Sequence, residues 1–191
     1  MSKLIVSQLI SLDGYCAGPG GNPGVLPMDD AFNAYNLERL RAAGMLVAGR
    51  TTFGMFAGFW PAVATNPEAP PVLREMAQLN TAMPKLVVSD TLTLDDTPPW
   101  GRVAVVSRAE AAARITQLKQ SSEKDLLVFG SHLMWNELLE QGLVDELHLL
   151  MGAVVLGDGV RAFERPVARP LRLLEQRRLG GSQTTLLRYA C

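Results

Sequence analysis

Short apolar runs alternate with helix-like segments through the first 150 residues, and this alternation constrains the fold more than any other feature of the chain. Strand-type runs fall at 3–12, 45–48, 85–88, 103–106 and 126–129, and the first is rich in β-branched residues. Between them lie segments with helical periodicity. Asp29 and Asp30 open the first of these, since acidic groups suit the positive end of a helix. Phe32, Tyr35, Leu40 and Ala43 give it a stripe to bury, and Gly44 is expected to end it. A second helix is expected from about Thr51, fading by Gly58, and a third over 72–79. Ser107 and Glu110 have capping-box spacing and start a fourth, running to about 120. A fifth covers 133–141 and stops at Gly142. Residues 14–27, 66–71 and 92–101, the last with Pro98-Pro99, read as connections. Beyond 145 the order changes: a long strand over 146–156 precedes two more, at 171–179 and 184–189, that flank Gly180-Gly181-Ser182 as a hairpin. Strands separated by helices pair in parallel, and strands in succession pair antiparallel. The expectation is an α/β chain in a three-layer αβα arrangement, with a mostly parallel sheet and an antiparallel C-terminal hairpin. At 191 residues it forms one domain over 1–191.

Charge and composition exclude several partners. The chain has 18 Lys+Arg against 19 Asp+Glu, a formal net charge of −1. Such a balance offers no field for a phosphate polymer, and the 6% of aromatic residues are not interleaved with basic ones, so no nucleic-acid partner is expected. The longest charge-free stretch, 51–67, is interrupted by Gly54, Gly58, Pro61 and Asn66, so no membrane span is expected. The N-terminus lacks the small-residue cleavage site of a signal peptide, and Cys16 and Cys191 form neither a disulfide framework nor a CxxC pair. A reducing cytoplasm and a small-molecule partner are the expectation. His132 and His148 have no third ligand nearby in sequence, so no metal site is expected.

In an open parallel sheet, ligands bind beyond the carboxyl ends of the strands. Those ends read Ser11-Leu12-Asp13-Gly14, Gly49-Arg50-Thr51-Thr52, Ser89-Asp90, Ser107-Arg108 and Gly130-Ser131-His132. Two have the form strand–glycine–helix. A helix start presents unbonded N–H groups to an anion, and glycine lets the anion approach the backbone. Arg50 adds a guanidinium fork suited to phosphate. Plain helix capping explains either end alone; the two together, with the Ser and Arg ends beside them, point to a dinucleotide. No GxGxxG follows a strand, no P-loop occurs, and Gly18 to Gly24 follows no strand directly. Asp13-Gly14 is either a turn pair or a site carboxylate. Asp29 and Asp30 either complement a helix dipole or serve a site. Phe56, Phe59 and Trp60 read as packing, His148 as packed or at an edge, and Cys16 has no base near it.

The order of these segments carries a resemblance. Ser11-Leu12-Asp13-Gly14 leads to Gly49-Arg50-Thr51-Thr52-Phe53 and Leu86-Val87-Val88-Ser89. Leu127-Val128-Phe129-Gly130-Ser131-His132-Leu133, Gly142-Leu143-Val144-Asp145-Glu146-Leu147 and Val154-Val155-Leu156-Gly157-Asp158-Gly159 follow. Over almost its whole length the chain resembles the dihydrofolate reductase superfamily. Within it, the chain is most similar to stand-alone relatives of the reductase (C-terminal) domain of the bifunctional riboflavin-biosynthesis deaminase-reductase. The resemblance implies NADPH as cofactor. It implies that Gly49, Arg50, Thr51 and Thr52 contact the cofactor phosphates, and that Arg50 and Ser89 read the adenosine 2′-phosphate. It also implies that Gly130, Ser131, His132 and Leu133 cradle the pyrophosphate. Gly130-Ser131 stands where the family usually has Gly-Gly, sometimes with a cis peptide, and Ala153 stands where it often has Pro. Asp13 would lie near the nicotinamide ribose or the substrate. Asp29 and Asp30 would lie where dihydrofolate reductases hold their substrate, to anchor the N–H edge of a heterocycle and help supply a proton through water, with Asp29 the better fit to the spacing. A homodimer is implied as well. The implied activity is NADPH-dependent reduction of a small planar C=N or C=O substrate, resembling 5-amino-6-(5-phosphoribosylamino)uracil reductase. The chain carries no fused deaminase and no obvious cluster for a ribose phosphate. A dihydrofolate or pterin reductase is the alternative among enzymes. A dinucleotide-binding module without turnover is the alternative outside them, and would bind NADPH without consuming it.

Overall fold

β1 (Leu4–Ile10) is buried along its entire length and anchors the fold. The computed structural model describes residues 1–93, 95, 100–164 and 170–191; Pro98 and Pro99 of the expected 92–101 connection lie outside them. Around β1 stand β3 (Ala43–Gly49), β4 (Lys85–Val88), β5 (Val103–Val106), β6 (Asp125–Phe129) and β7 (Glu146–Met151). Their order is β5-β4-β3-β6-β1-β7, with every neighbouring pair parallel. β10 (Thr185–Ala190) pairs antiparallel with β7 on one side and β9 (Arg172–Arg178) on the other, completing an eight-stranded sheet. A two-stranded ribbon of β2 (Tyr15–Ala17) and β8 (Val160–Arg161), too short to register as hydrophobic alternation, was not expected.

Side chains alternate between two cores. Leu4, Val6, Leu126, Val128 and Leu147 meet α4 (Arg108–Ser121) and α5 (His132–Glu140), through Ala111, Ile115, Trp135 and Leu139. Ile5, Leu46, Val87 and Leu127 meet α1 (Asp30–Ala42), α2 (Arg50–Thr65) and α3 (Pro71–Ala82), through Leu40, Phe53, Trp60 and Met76. Strands buried on both faces have to be apolar at successive positions, which is why the sequence shows continuous runs. Each fully buried Leu or Ile contributes roughly 1.5–3 kcal/mol.

Three expected boundaries are corrected. Gly44 does not end α1: the helix runs directly into β3, and Gly44 lies within the strand. Its role is close approach, since a Cβ there would sit 2.9 Å from the Lys124 Cβ. α2 does not fade at Gly58 but continues to Thr65 with Pro61 inside it. Phe53 and Trp60, two turns apart, bury one side and leave Gly54 and Gly58 exposed on the other, so packing overrides weak propensity. β7 ends at Met151 rather than at 156: the Val154 N–H turns back to the Gly152 carbonyl at 2.8 Å, and Gly152 packs so closely on Pro27 that a Cβ would lie 2.6 Å from its ring.

Under α1 lies a polar layer in an otherwise apolar interface. His148 is fully buried, with Nε2 2.8 Å from a Glu146 oxygen and Nδ1 2.8 Å from the Tyr35 hydroxyl. A carboxylate only accepts, so Nε2 carries the proton and Nδ1 accepts from Tyr35. Glu146 also accepts from Lys3 at 2.6 Å and Arg188 at 2.9 Å, and Arg188 donates to Glu175 at 2.8 Å. Burial pushes the His148 imidazole down to about 4 and keeps it neutral. Burial alone would raise Glu146, but the bonds from Lys3, His148 and Arg188 outweigh it and hold the carboxyl at about 2.

Both groups have folded-state pKa values below their unfolded ones, so the stability they contribute is complete above the unfolded values and is lost on acidification. His148 costs stability as pH falls from about 6.5 toward 4, and Glu146 as it falls from about 4.5 toward 2. The His148 contribution is on the order of 3 kcal/mol. Resistance to urea should therefore fall steadily between pH 7 and 4.5, and His148→Gln should flatten that slope. An unchanged slope in the variant would place the acid sensitivity elsewhere.

Candidate cofactor and substrate site

Because β3, β4, β5, β6, β1 and β7 run in parallel, their carboxyl ends share one edge, and the loops beyond them converge there. At the centre, β3 and β6 each pass into a helix. α2 follows Gly49 and α5 follows Ser131, and neither helix start is capped by a side chain. First-turn N–H groups of both helices therefore stand available side by side. Gly130 and Ser131 both adopt left-handed backbone, each with φ 56°, and Ser131 is the one non-glycine residue to do so among the described residues. That conformation costs roughly 1–2 kcal/mol for a residue with a Cβ. Two hydrogen bonds sustain it: the Ser131 Oγ accepts from the Gly49 N–H at 3.0 Å, and the Ser131 N–H donates to the Thr52 Oγ1 at 3.0 Å. The turn is made by φ, since every peptide among the described residues is trans.

Arg50, the first residue of α2, reaches toward the end of β4 and donates to the Thr91 Oγ1 at 2.7 Å. The Ser89 Oγ accepts from the N–H groups of Thr91 at 3.2 Å and Leu92 at 3.0 Å, so Ser89, Thr91 and Arg50 form one cluster. Thr91 escaped the sequence reading, because nothing in its neighbourhood marks it apart from the preceding Ser89-Asp90. Thr51 is exposed and Thr52 buried. His132 begins α5 with Nε2 3.1 Å from a Glu164 oxygen, and Leu133 is exposed beside it. Gly49, Arg50, Thr51, Thr52, Ser89, Gly130, Ser131, His132 and Leu133 thus lie along the ends of three adjacent strands.

Asp13, Asp29 and Asp30 lie on the other side, beyond β1 and β7. The Asp13 carboxylate accepts from the Ser11 hydroxyl at 2.6 Å and from the N–H groups of Gly157 at 2.7 Å and Leu156 at 3.1 Å. The Ser11 bond above all, with those two N–H groups, outweighs partial burial and lowers Asp13 to about 2. It is a persistent anion that ties the loop after β1 to the loop after β7. Asp29 caps α1 by accepting from the Phe32 N–H at 2.9 Å, and its second oxygen accepts from Ser182 at the tip of the C-terminal hairpin. Asp30 is exposed in the first turn of α1. Among the described residues no cluster of His, Cys, Asp and Glu could hold a metal. His148 lies in the polar layer under α1, and Cys16 is buried with its thiol pushed up to about 11 by that burial.

The donor set on the β3–β4–β6 side fits a phosphorylated nucleotide: two uncapped helix starts, one guanidinium and two hydroxyls. Gly49 adds open backbone, since a Cβ there would meet nothing nearer than 3.9 Å.

Solved structures share this fold. A putative riboflavin biosynthesis protein from Shewanella sp. PV-4 superposes with a TM-score of 0.71 at 22% identity, covering 100% of this chain and 98% of that one. The diaminohydroxyphosphoribosylaminopyrimidine deaminase/5-amino-6-(5-phosphoribosylamino)uracil reductase of Thermotoga maritima gives 0.69 at 13% identity, with 99% of this chain matched to 56% of that longer one. Dihydrofolate reductase from Enterococcus faecalis, complexed with NADP(H), gives 0.57 at 14% identity, covering 98% and 95%. At such identities the superpositions establish the fold, a dihydrofolate-reductase-like sheet. A sequence family model, RibD C-terminal domain, matches residues 2–184, and the chain belongs to that family.

Proposed function

We propose that the protein is an NADPH-dependent reductase of a small planar heterocycle with a C=N or C=O bond, working in a reducing cytoplasm. The observation that carries this reading is the convergence of two uncapped helix starts with the Arg50–Thr91–Ser89 cluster on one sheet edge. Membership of the RibD C-terminal domain family supports it. In this reading the N–H groups at the starts of α2 and α5 bind the pyrophosphate, with Gly49, Thr51, Thr52, Gly130 and Leu133 shaping the cradle. His132 donates to the same anion when it leaves Glu164. Arg50, with Ser89 and Thr91, takes the 2′-phosphate that distinguishes NADPH from NADH. A bound nicotinamide supplies hydride to one face of the substrate. Asp13 and Asp29 position the substrate-side loops through the bonds they already make, and Asp30 exchanges a proton with water at the mouth of the site. Holding the two flat rings face to face is the main service the chain performs.

Two copies pair in this proposal through the outer face of β10 and β9. Leu187 and Tyr189 are only partly buried there, and Leu173 is 49% exposed. Burying such apolar surface is what a second copy would achieve.

Two measurements test the reading. Fluorescence titration should show NADPH binding to the wild type. Arg50→Ala should weaken it about tenfold, near 1.4 kcal/mol, while NADH binding changes much less. Equal losses for both nucleotides would remove Arg50 from the 2′-phosphate, and no NADPH binding to the wild type would remove the reductase reading. Light scattering should give about twice the 20.7 kDa chain mass, and Leu173→Glu should halve it. A wild type that scatters as single chains would discard the dimer.

A further inference from the structure

Two serines stand directly before a helix, and they behave differently. Ser107 leads into α4 from extended backbone, φ −66° and ψ 158°, and its Oγ accepts from the Glu110 N–H of that helix. This is the ordinary use of serine at a helix start. Ser131 leads into α5 from left-handed backbone, φ 56° and ψ 40°, and its side chain caps nothing in its own helix. Its Oγ accepts instead from the Gly49 N–H, 82 positions away. Gly49 is itself the residue before α2. The bond therefore joins the two residues from which these two helices set out.

The link has a second strand. The Ser131 N–H donates to the Thr52 Oγ1, in the first turn of α2. A Cβ at Gly130 would touch the Thr52 side chain at 3.4 Å, and one at Gly49 would stand 3.9 Å from the Ser131 Oγ. The two helix starts thus lie side by side with the serine between them. At this position the chain gives up a cap bond and accepts a strained backbone. Glycine would hold the same φ without strain, but it offers no oxygen to the Gly49 N–H. Strain held in place by its neighbours is the mark of a functional constraint.

We propose that Ser131 is a positioning residue for the nucleotide. By bonding to Gly49 rather than to its own helix, it fixes the spacing of the α2 and α5 starts and leaves the first N–H groups of α5 open to the pyrophosphate. The inference rests on the NADPH reductase reading and deepens it, by naming what sets the width of the cradle. Donors on two separate elements grip one anion well when their separation is set beforehand; otherwise binding has to order them. The chain gives up stability at Ser131 in exchange for that pre-organisation.

Two variants separate the clamp from the fold. Ser131→Ala keeps the strain and loses the bond, whereas Ser131→Gly loses the bond and the strain together. Melting without nucleotide should therefore place Ser131→Ala about 3 °C below the wild type and Ser131→Gly within about 1 °C of it. In both variants the Gly49 amide should exchange its hydrogen with water about tenfold faster than in the wild type. NADPH affinity, read by tryptophan fluorescence, should fall about tenfold in both. The glycine variant decides the matter, because a serine with a merely structural role would leave affinity intact wherever the melting temperature is intact. Wild-type affinity in Ser131→Gly would overturn the proposal while leaving the cofactor reading in place. A Gly49 amide that exchanges equally fast in all three proteins, or a glycine variant that melts as low as the alanine one, would overturn it without reference to any nucleotide. Failure of NADPH to bind the wild type would instead strike the reading on which the proposal stands.

Discussion

Everything in this molecule depends on β1 pairing in parallel with β6 on one side and β7 on the other. Parallel pairing forces each connection to cross back over the sheet, and that places helices on both faces. It also directs six strand ends to one edge. Ser11 and Asp13 after β1 stand between Gly130 after β6 and Gly152 after β7 for this reason. A strand buried on both faces has to be apolar throughout, and β1 shows this in its seven buried residues. The chemistry at the edge follows from where an unremarkable strand is inserted.

Along that edge the chain groups its polar atoms by kind. The β3–β4–β6 side holds a guanidinium, hydroxyls and unbonded N–H groups. The β1–β7 side holds carboxylates and apolar surface. A net charge of −1, summed over the whole chain, conceals this division. The joint between them is the left-handed Gly130-Ser131 turn. Its strain persists because Gly49 and Thr52, from the neighbouring strand and helix, each bond to Ser131.

Much of the architecture was legible in the sequence, because period-2 burial and capping chemistry are local. The edges of β4 and β5 agree with the apolar runs, and Ser107 caps α4 as its spacing with Glu110 implied. Gly142 ends α5 in left-handed backbone, as expected of a helix stop. Gly44 was misread because a glycine after a helix has two uses, a turn or a close approach, and only the position of Lys124 separates them. α2 was read short because its glycines face outward, a fact set by tertiary packing. The bonds of Asp13 and Asp29 were illegible for the same reason. Asp29 meets Ser182, 153 positions away, and Asp13 meets Gly157, 144 positions away. Sequence spacing brought Asp13 and Asp29 forward as candidates but could not show that both already hold loops in place.

The junction at Ala42 and Ala43 has a mechanical consequence. α1 begins beside Asp29 and β3 ends at Gly49, both at the carboxyl edge of the sheet, with no loop between helix and strand. The segment from 30 to 49 therefore doubles back at the Ala42–Ala43 step, where the pairing of β3 with β6 also shifts register. Helix and strand form a hairpin with no spare residue at its bend. A residue inserted just after that bend would turn the later side chains of β3 onto the wrong face and move Gly49, whose N–H is bonded to the strained Ser131. Changes of length are accommodated more readily in the 11–29 connection before α1, which lies outside the eight-stranded sheet.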